Sequence, residues 1–93
     1  MAVLVLGTLP GGDAATDTRL RQELGVQGGP PPGALARFAG PTPSGWRVVT
    51  VWESEEAYRT FERDKLLPAF ERRGLAPPAR EVAQLDNYRI TPR

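Results

Sequence analysis

The chain has no cysteine and no histidine. Without thiols there are no disulfides, zinc thiolates or cysteine nucleophiles, and the missing disulfide framework points to an intracellular setting. Without imidazole there is no Ser-His-Asp triad, no histidine to ligate haem and no His-rich transition-metal site, so any catalysis must run without imidazole. An excess of one charge is also lacking: 12 Lys+Arg against 11 Asp+Glu leave a net +1, with the signs interleaved. That argues against nucleic acid, which calls for a basic stripe, and against an anionic membrane surface. Long hydrophobic runs are missing as well. Met1-Ala2-Val3-Leu4-Val5-Leu6 is apolar for only about six residues and carries no positive leader, so it reads as a mature cytoplasmic start, not as a signal peptide or span.

What is present fits one domain over 1–93. A chain this short buries only about 60–65% of its unfolded surface, so a second subunit adds useful burial and a homodimer is expected. Ala2 to Leu9 is an apolar run with β-branched Val3 and Val5, which suits a strand buried on both faces and ended by Pro10-Gly11-Gly12. Asp13 is placed to cap a helix that runs to Leu24, with Gly25 as its stop. Gln27-Gly28-Gly29-Pro30-Pro31-Pro32-Gly33 is a loop with polyproline II character, a connector more than a PxxP ligand.

Ala34 to Ala39 and Trp46 to Glu53 are strand candidates joined by turn chemistry over 40–45. Trp46, Val48, Thr50 and Trp52 share one face of the later strand. Ser54 is an N-cap, and Glu55 and Glu56 in the first turn favour the helix dipole; Ala57, Tyr58, Phe61 and Lys65 form a stripe. Pro68 predicts a kink or a restart, with one helix to Lys65 or Leu66 and a second over Leu67–Arg73. A last strand is expected over Ala79–Ile90. The order is βαββαβ: an α+β, ferredoxin-like layout of a four-stranded antiparallel sheet with helices on one face, which leaves the other face in need of a cover.

With that order, Val49-Thr50-Val51-Trp52-Glu53-Ser54-Glu55-Glu56-Ala57-Tyr58 resembles the strand-into-helix segment of the dimeric α+β barrel superfamily, in its antibiotic biosynthesis monooxygenase-like branch. The resemblance implies a homodimer in which a twin sheet supplies the cover, with a small-molecule pocket between sheet and helices in each subunit. It implies binding of an aromatic or polyketide-like compound without a cofactor, as a monooxygenase, as a cyclase- or isomerase-type enzyme, or as a non-catalytic ligand-binding dimer. Trp52 and Tyr58 match the branch's strand Trp and the helix Tyr six residues later. The cofactor-free oxygenases carry an Asn four residues before that Trp, where this chain has Val48, and their arginine corresponds to Arg72. Haem-degrading members use a histidine, which this chain lacks.

The candidate site follows. Trp52 offers a flat apolar wall and one N–H donor, against a purely packing role. Tyr58 is a hydrogen-bond donor to a ligand oxygen, against a helix-face residue, and Asp86 is a base if buried, against an exposed carboxylate. Phe61, Trp46, Phe38, Phe70 and Arg72 complete the expected lining. Arg37 reads as a salt-bridge partner before a ligand clamp, and the charged runs 62–65 and 71–73 as solvated helix faces. The same element order also serves RNA-recognition modules. Ser44-Gly45-Trp46-Arg47-Val48-Val49-Thr50-Val51 lacks the leading base and two of the three stacking aromatics which that use requires.

Overall fold

Local signals in the sequence start and stop the elements where they stand in the structure, a computed structural model that describes residues 1–26 and 28–89. Strand β1 (Val3–Leu9) leads into helix α1 (Ala14–Leu24). The Asp13 side chain accepts from the Thr16 N–H, and Gly25 ends the helix at φ 71°, a left-handed conformation that suits glycine. Strands β2 (Ala34–Thr42) and β3 (Gly45–Trp52) pair antiparallel from Thr42↔Gly45. The hairpin turn is therefore confined to Pro43-Ser44, shorter than expected, because Gly40 and Pro41 still find ladder partners in Arg47 and Trp46.

The order across the sheet is β2-β3-β1-β4, all antiparallel, with helices on one face: the ferredoxin-like layout. Strand β4 (Ala79–Gln84) is shorter than the predicted Ala79–Ile90. Its only neighbour among the described residues, β1, supplies partners as far as Val3↔Gln84, and the Leu85 N–H then bonds to the Ala2 carbonyl. The end of that prediction, at Ile90, lies outside the described residues.

Helix α2 (Glu55–Phe61) begins at Ser54, whose side chain accepts from the Ala57 N–H. The expected restart at Leu67 is present but without a gap: α2 continues through a π-helical turn (Glu62–Leu66) directly into α3 (Leu67–Arg72). Proline lacks an N–H, and its ring crowds the carbonyl four residues back. Widening the turn, with the Leu67 N–H reaching the Glu62 carbonyl, accommodates both without ending the helix. The extra residue also shifts the phase of the apolar stripe, so Leu66 is buried where Lys65 was expected, and Lys65 is exposed.

Two cores result. One joins Val3, Val5 and Trp52 of the sheet to Tyr58 of α2, and the other packs Leu24 of α1 against Leu66, Ala69 and Phe70. No helix among the described residues is long and apolar enough to cross a membrane.

Candidate functional site

Between the two cores the helices stand off the sheet and leave a cavity of about 510 Å³. Its sheet wall comes from alternate residues that face the helices: Val5 and Gly7 of β1, and Val48, Thr50 and Trp52 of β3. Its helix wall comes from Leu20 and Leu24 of α1 and from Tyr58, Phe61 and Leu66. Trp52 is the hub. It is 2% exposed, stands edge-on to Tyr58 at 5.6 Å between ring centres, and lies 5.1 Å from the Phe61 ring. Its indole N–H donates to Thr50 Oγ1 at 2.9 Å, so both groups are partnered on the same strand face.

Tyr58 carries the polar end. Its hydroxyl donates to Glu62 Oε2 at 2.9 Å, one helical turn on. Burial, then the hydrogen bond to Glu62 and the charge of that carboxylate, push the phenol up to about 12. It therefore holds its proton at any working pH. Burial acts to raise Glu62, but hydrogen bonds from Tyr58 and Arg59 and the charge of Arg80 outweigh it, so Glu62 is held below its ordinary value. Arg80 on β4 reaches the same oxygen at 3.0 Å, and Arg59 reaches Glu62 Oε1 at 3.2 Å and also pairs with Glu55.

A second polar cluster lies across the cavity. Asp17 on α1, 5% exposed, is an ion-pair partner of both Arg21, at 3.3 Å, and Arg37 on β2. Arg37 reaches it because β2 carries a bulge: Ala34 pairs with Trp52 but Ala36 with Val51, leaving Leu35 as an extra residue. A bulge reverses which side chains face in. Arg37 is thereby opposite Thr50 on the cavity side, and Phe38 opposite Val49 on the outer side.

Of the residues singled out in the sequence, the fold brings Trp52, Tyr58 and Phe61 together on the cavity. Arg37, read as a salt-bridge partner, pairs with Asp17 and is also on the cavity wall; the remaining candidates are elsewhere. Trp46 is on the same face as Trp52, but six residues along the strand, about 20 Å away, opposite Leu9; its indole N–H is buried with no hydrogen-bond partner among the described residues. Phe38 is 59% exposed on the outer face, turned there by the bulge. Phe70 is buried in the helix core against Leu24, because α3 packs on α1. Arg72 is exposed at the end of α3, and Asp86 is exposed beyond the last paired residue of β4, so neither reaches the cavity. Sequence reasoning passed over Glu62, Arg80 and Asp17. Glu62 was assigned to a solvated face, although its spacing of four from Tyr58 is the helical contact distance. Arg80 and Asp17 left no local signal.

No family model matches the sequence, and no curated protein does. Solved structures do match. A provisionally assigned antibiotic biosynthesis monooxygenase from Chloroflexus aurantiacus J-10-fl aligns over 98% of this chain and 100% of its own, with a TM-score of 0.62 and 16% identity. SnoaB, a cofactor-independent oxygenase from Streptomyces nogalater, aligns over 94% and 93%, with a TM-score of 0.58 and 16% identity. The ActVA-Orf6 monooxygenase of Streptomyces coelicolor, solved with nanaomycin D, aligns over 98% and 92%, with a TM-score of 0.53 and 22% identity. The fold is that of the antibiotic biosynthesis monooxygenase domains, at distant identity.

Proposed function

We propose that the chain is a homodimeric α+β barrel protein that holds an aromatic or polyketide-like molecule in the cavity of each subunit and acts on it as a cofactor-independent monooxygenase. The observation that carries this reading is the wall of Trp52, Tyr58 and Phe61 on an apolar cavity of about 510 Å³, a size and lining suited to a small-molecule site. The shared fold with SnoaB and the ActVA-Orf6 protein supports the oxygen chemistry.

Oxygen activation without a cofactor draws its electrons from the substrate. A methylene flanked by aromatic rings conjugated to a ketone loses a proton to a water molecule to give an enolate, which reduces O₂. In an anthrone the methylene becomes a carbonyl: one oxygen atom enters the product and the other leaves as water with the two methylene hydrogens. Trp52 and Phe61 hold the ring system, and Tyr58, protonated throughout, exchanges Glu62 for the enolate oxygen as acceptor. An isomerase or cyclase would pass through the same enolate. Asp86, exposed beyond β4, has no part in this scheme.

A second reading, a non-catalytic ligand-binding dimer, is favoured by one specific observation. No carboxylate is among the described residues that line the cavity, and Val48 stands where the oxygenases it resembles carry Asn. An oxygen electrode and tryptophan fluorescence, both with anthrone, separate the two. Oxygen uptake above the protein-free rate with matching anthraquinone formation establishes the oxygenase. Quenching without uptake establishes the binding protein, and neither signal ends both readings.

A further inference from the structure

Three charged side chains line the cavity among its described residues, and all are arginines: Arg21, Arg37 and Arg80. The carboxylates that balance them sit behind the wall, and the balance is uneven. On the Tyr58 side, Glu62 and Glu55 between them meet Arg59 and Arg80, two negative charges for two positive. On the other side Asp17 alone meets Arg21 and Arg37, one for two. Neither arginine has another carboxylate within ion-pair distance among the described residues.

The donors are also under-used. Arg37 spends an Nη2 proton on Asp17, and the guanidinium carries five N–H groups in all. Arg21 Nε is buried and without a hydrogen bond: Asp17 Oδ2 at 3.3 Å attracts its charge, but the N–H is not directed at it. The Arg21 Nε–H, buried without a hydrogen-bond acceptor in a pair of partly exposed arginines that share one carboxylate, leaves room for a second anionic partner on the cavity side.

We infer that Arg21 and Arg37 form an anion-reading wall, so that the molecule held in this cavity is an aromatic acid whose carboxylate meets the two guanidinium groups while its rings stack toward Trp52 and Phe61. This rests on the proposed aromatic cavity and adds the charge of its ligand. Asp17 is the positioning residue: from a buried place on α1 it draws the two arginines to one point. The bulge at Leu35 is the device that turns Arg37 inward. Guanidinium suits the task because it stays charged and presents paired donors to the two oxygens of a carboxylate.

The test uses the intact protein, with anthraquinone-2-carboxylate and its neutral carboxamide as probes of equal ring size, titrated by tryptophan fluorescence and calorimetry. The acid is expected to bind at least about tenfold more tightly than the amide at low salt, as charge-assisted hydrogen bonds predict. That ratio should shrink as ionic strength rises. Arg37→Gln and Arg21→Gln should each bring the ratio toward one, and Arg37→Lys should retain part of it. Equal binding of acid and amide by the unaltered protein overturns the anion-reading wall while leaving the aromatic cavity standing. A preference that survives both Gln substitutions overturns it as well. Should neither probe bind, the aromatic cavity falls and the wall with it. If the Gln variants do not fold, the acid-to-amide ratio and its salt dependence in the unaltered protein decide the matter alone.

Discussion

Tyr58 ties the candidate site to the stability of the domain. Its pKa is pushed up to about 12 from the ordinary phenol value of 10.0, first by burial and then by Glu62. The folded state therefore binds the phenolic proton more tightly than the unfolded state does. The associated stability is complete below pH 10 and is lost as the pH climbs from 10 to 12. Denaturant midpoints measured across that window should fall, and Tyr58→Phe should flatten the fall. The variant loses a hydrogen bond to a carboxylate, about 1.5–3 kcal/mol, at neutral pH. In the proposed chemistry it also loses turnover by about a hundredfold or more, as removal of a positioned proton donor does. Glu62 acts with the opposite sign. Its pKa is lowered from 4.5, so the stability it contributes is present above that value and lost as the pH falls below it. Trp52 is a matter of packing: Trp52→Ala removes the hub of the first core and should cost about 3–5 kcal/mol. Against a total of about 5–15 kcal/mol, a drop of under 1 kcal/mol in chemical unfolding would deny it that place.

Among the elements, what the sequence made legible was whatever is decided within a few residues. Asp13, Gly25 and Ser54 mark helix ends through contacts to their own neighbours, and those ends stand where they were read. Features set by a distant partner were not legible. The bulge at Leu35 is a feature of the pairing with β3, and the end of β4 is set by its pairing with β1, which closes at Val3↔Gln84. From Phe38 alone nothing reveals that it turns outward and Arg37 inward. The π-helical turn is intermediate: Pro68 signalled a disturbance, but the widened turn that carries the helix past it, and the packing of Leu66 and Phe70 on Leu24 that goes with it, left no local signal. One position joins loop, strand and helix. Gly33 has φ 86°, and a Cβ there would stand 2.6 Å from the Ala57 Cβ, while its carbonyl accepts from the Glu53 N–H at 2.8 Å. Gly33→Ala should cost about 1–3 kcal/mol from backbone strain plus overlap. Adding Ala57→Gly removes the overlap but not the strain, so thermal unfolding should recover in part. Full recovery would show that the backbone conformation carries no cost.

At the scale of the whole molecule, one face of the sheet is covered by helices, and the other, mainly apolar, carries no helix among the described residues. Alternation places Leu4 and Leu6 of β1, Val49 and Val51 of β3, and Phe38 of β2 on that face, with Arg47 of β3 and Glu81 of β4 toward its margins. Phe38 is 59% exposed there. An antiparallel sheet that meets water on one side ordinarily alternates apolar with polar, and these strands do not. The composition of that face suits a second sheet packed on it at about 10 Å, and a second copy of the chain is the occupant in the proposed homodimer. The helix-side cavity and the bare face are separated by the thickness of one sheet, so disrupting the second need not empty the first. Sedimentation equilibrium should return twice the 10.1 kDa mass of the chain. Phe38→Asp, or Leu6→Lys on the neighbouring central strand, sets a charge in the middle of the proposed contact and should shift the mass toward one chain at micromolar concentration. The circular dichroism of a ferredoxin-like fold should persist, at reduced thermal stability. A single-chain mass for the unaltered protein at the same concentration would remove the homodimer and leave a bare apolar sheet without its explanation. A dimer unmoved by either charge would place the contact on another surface.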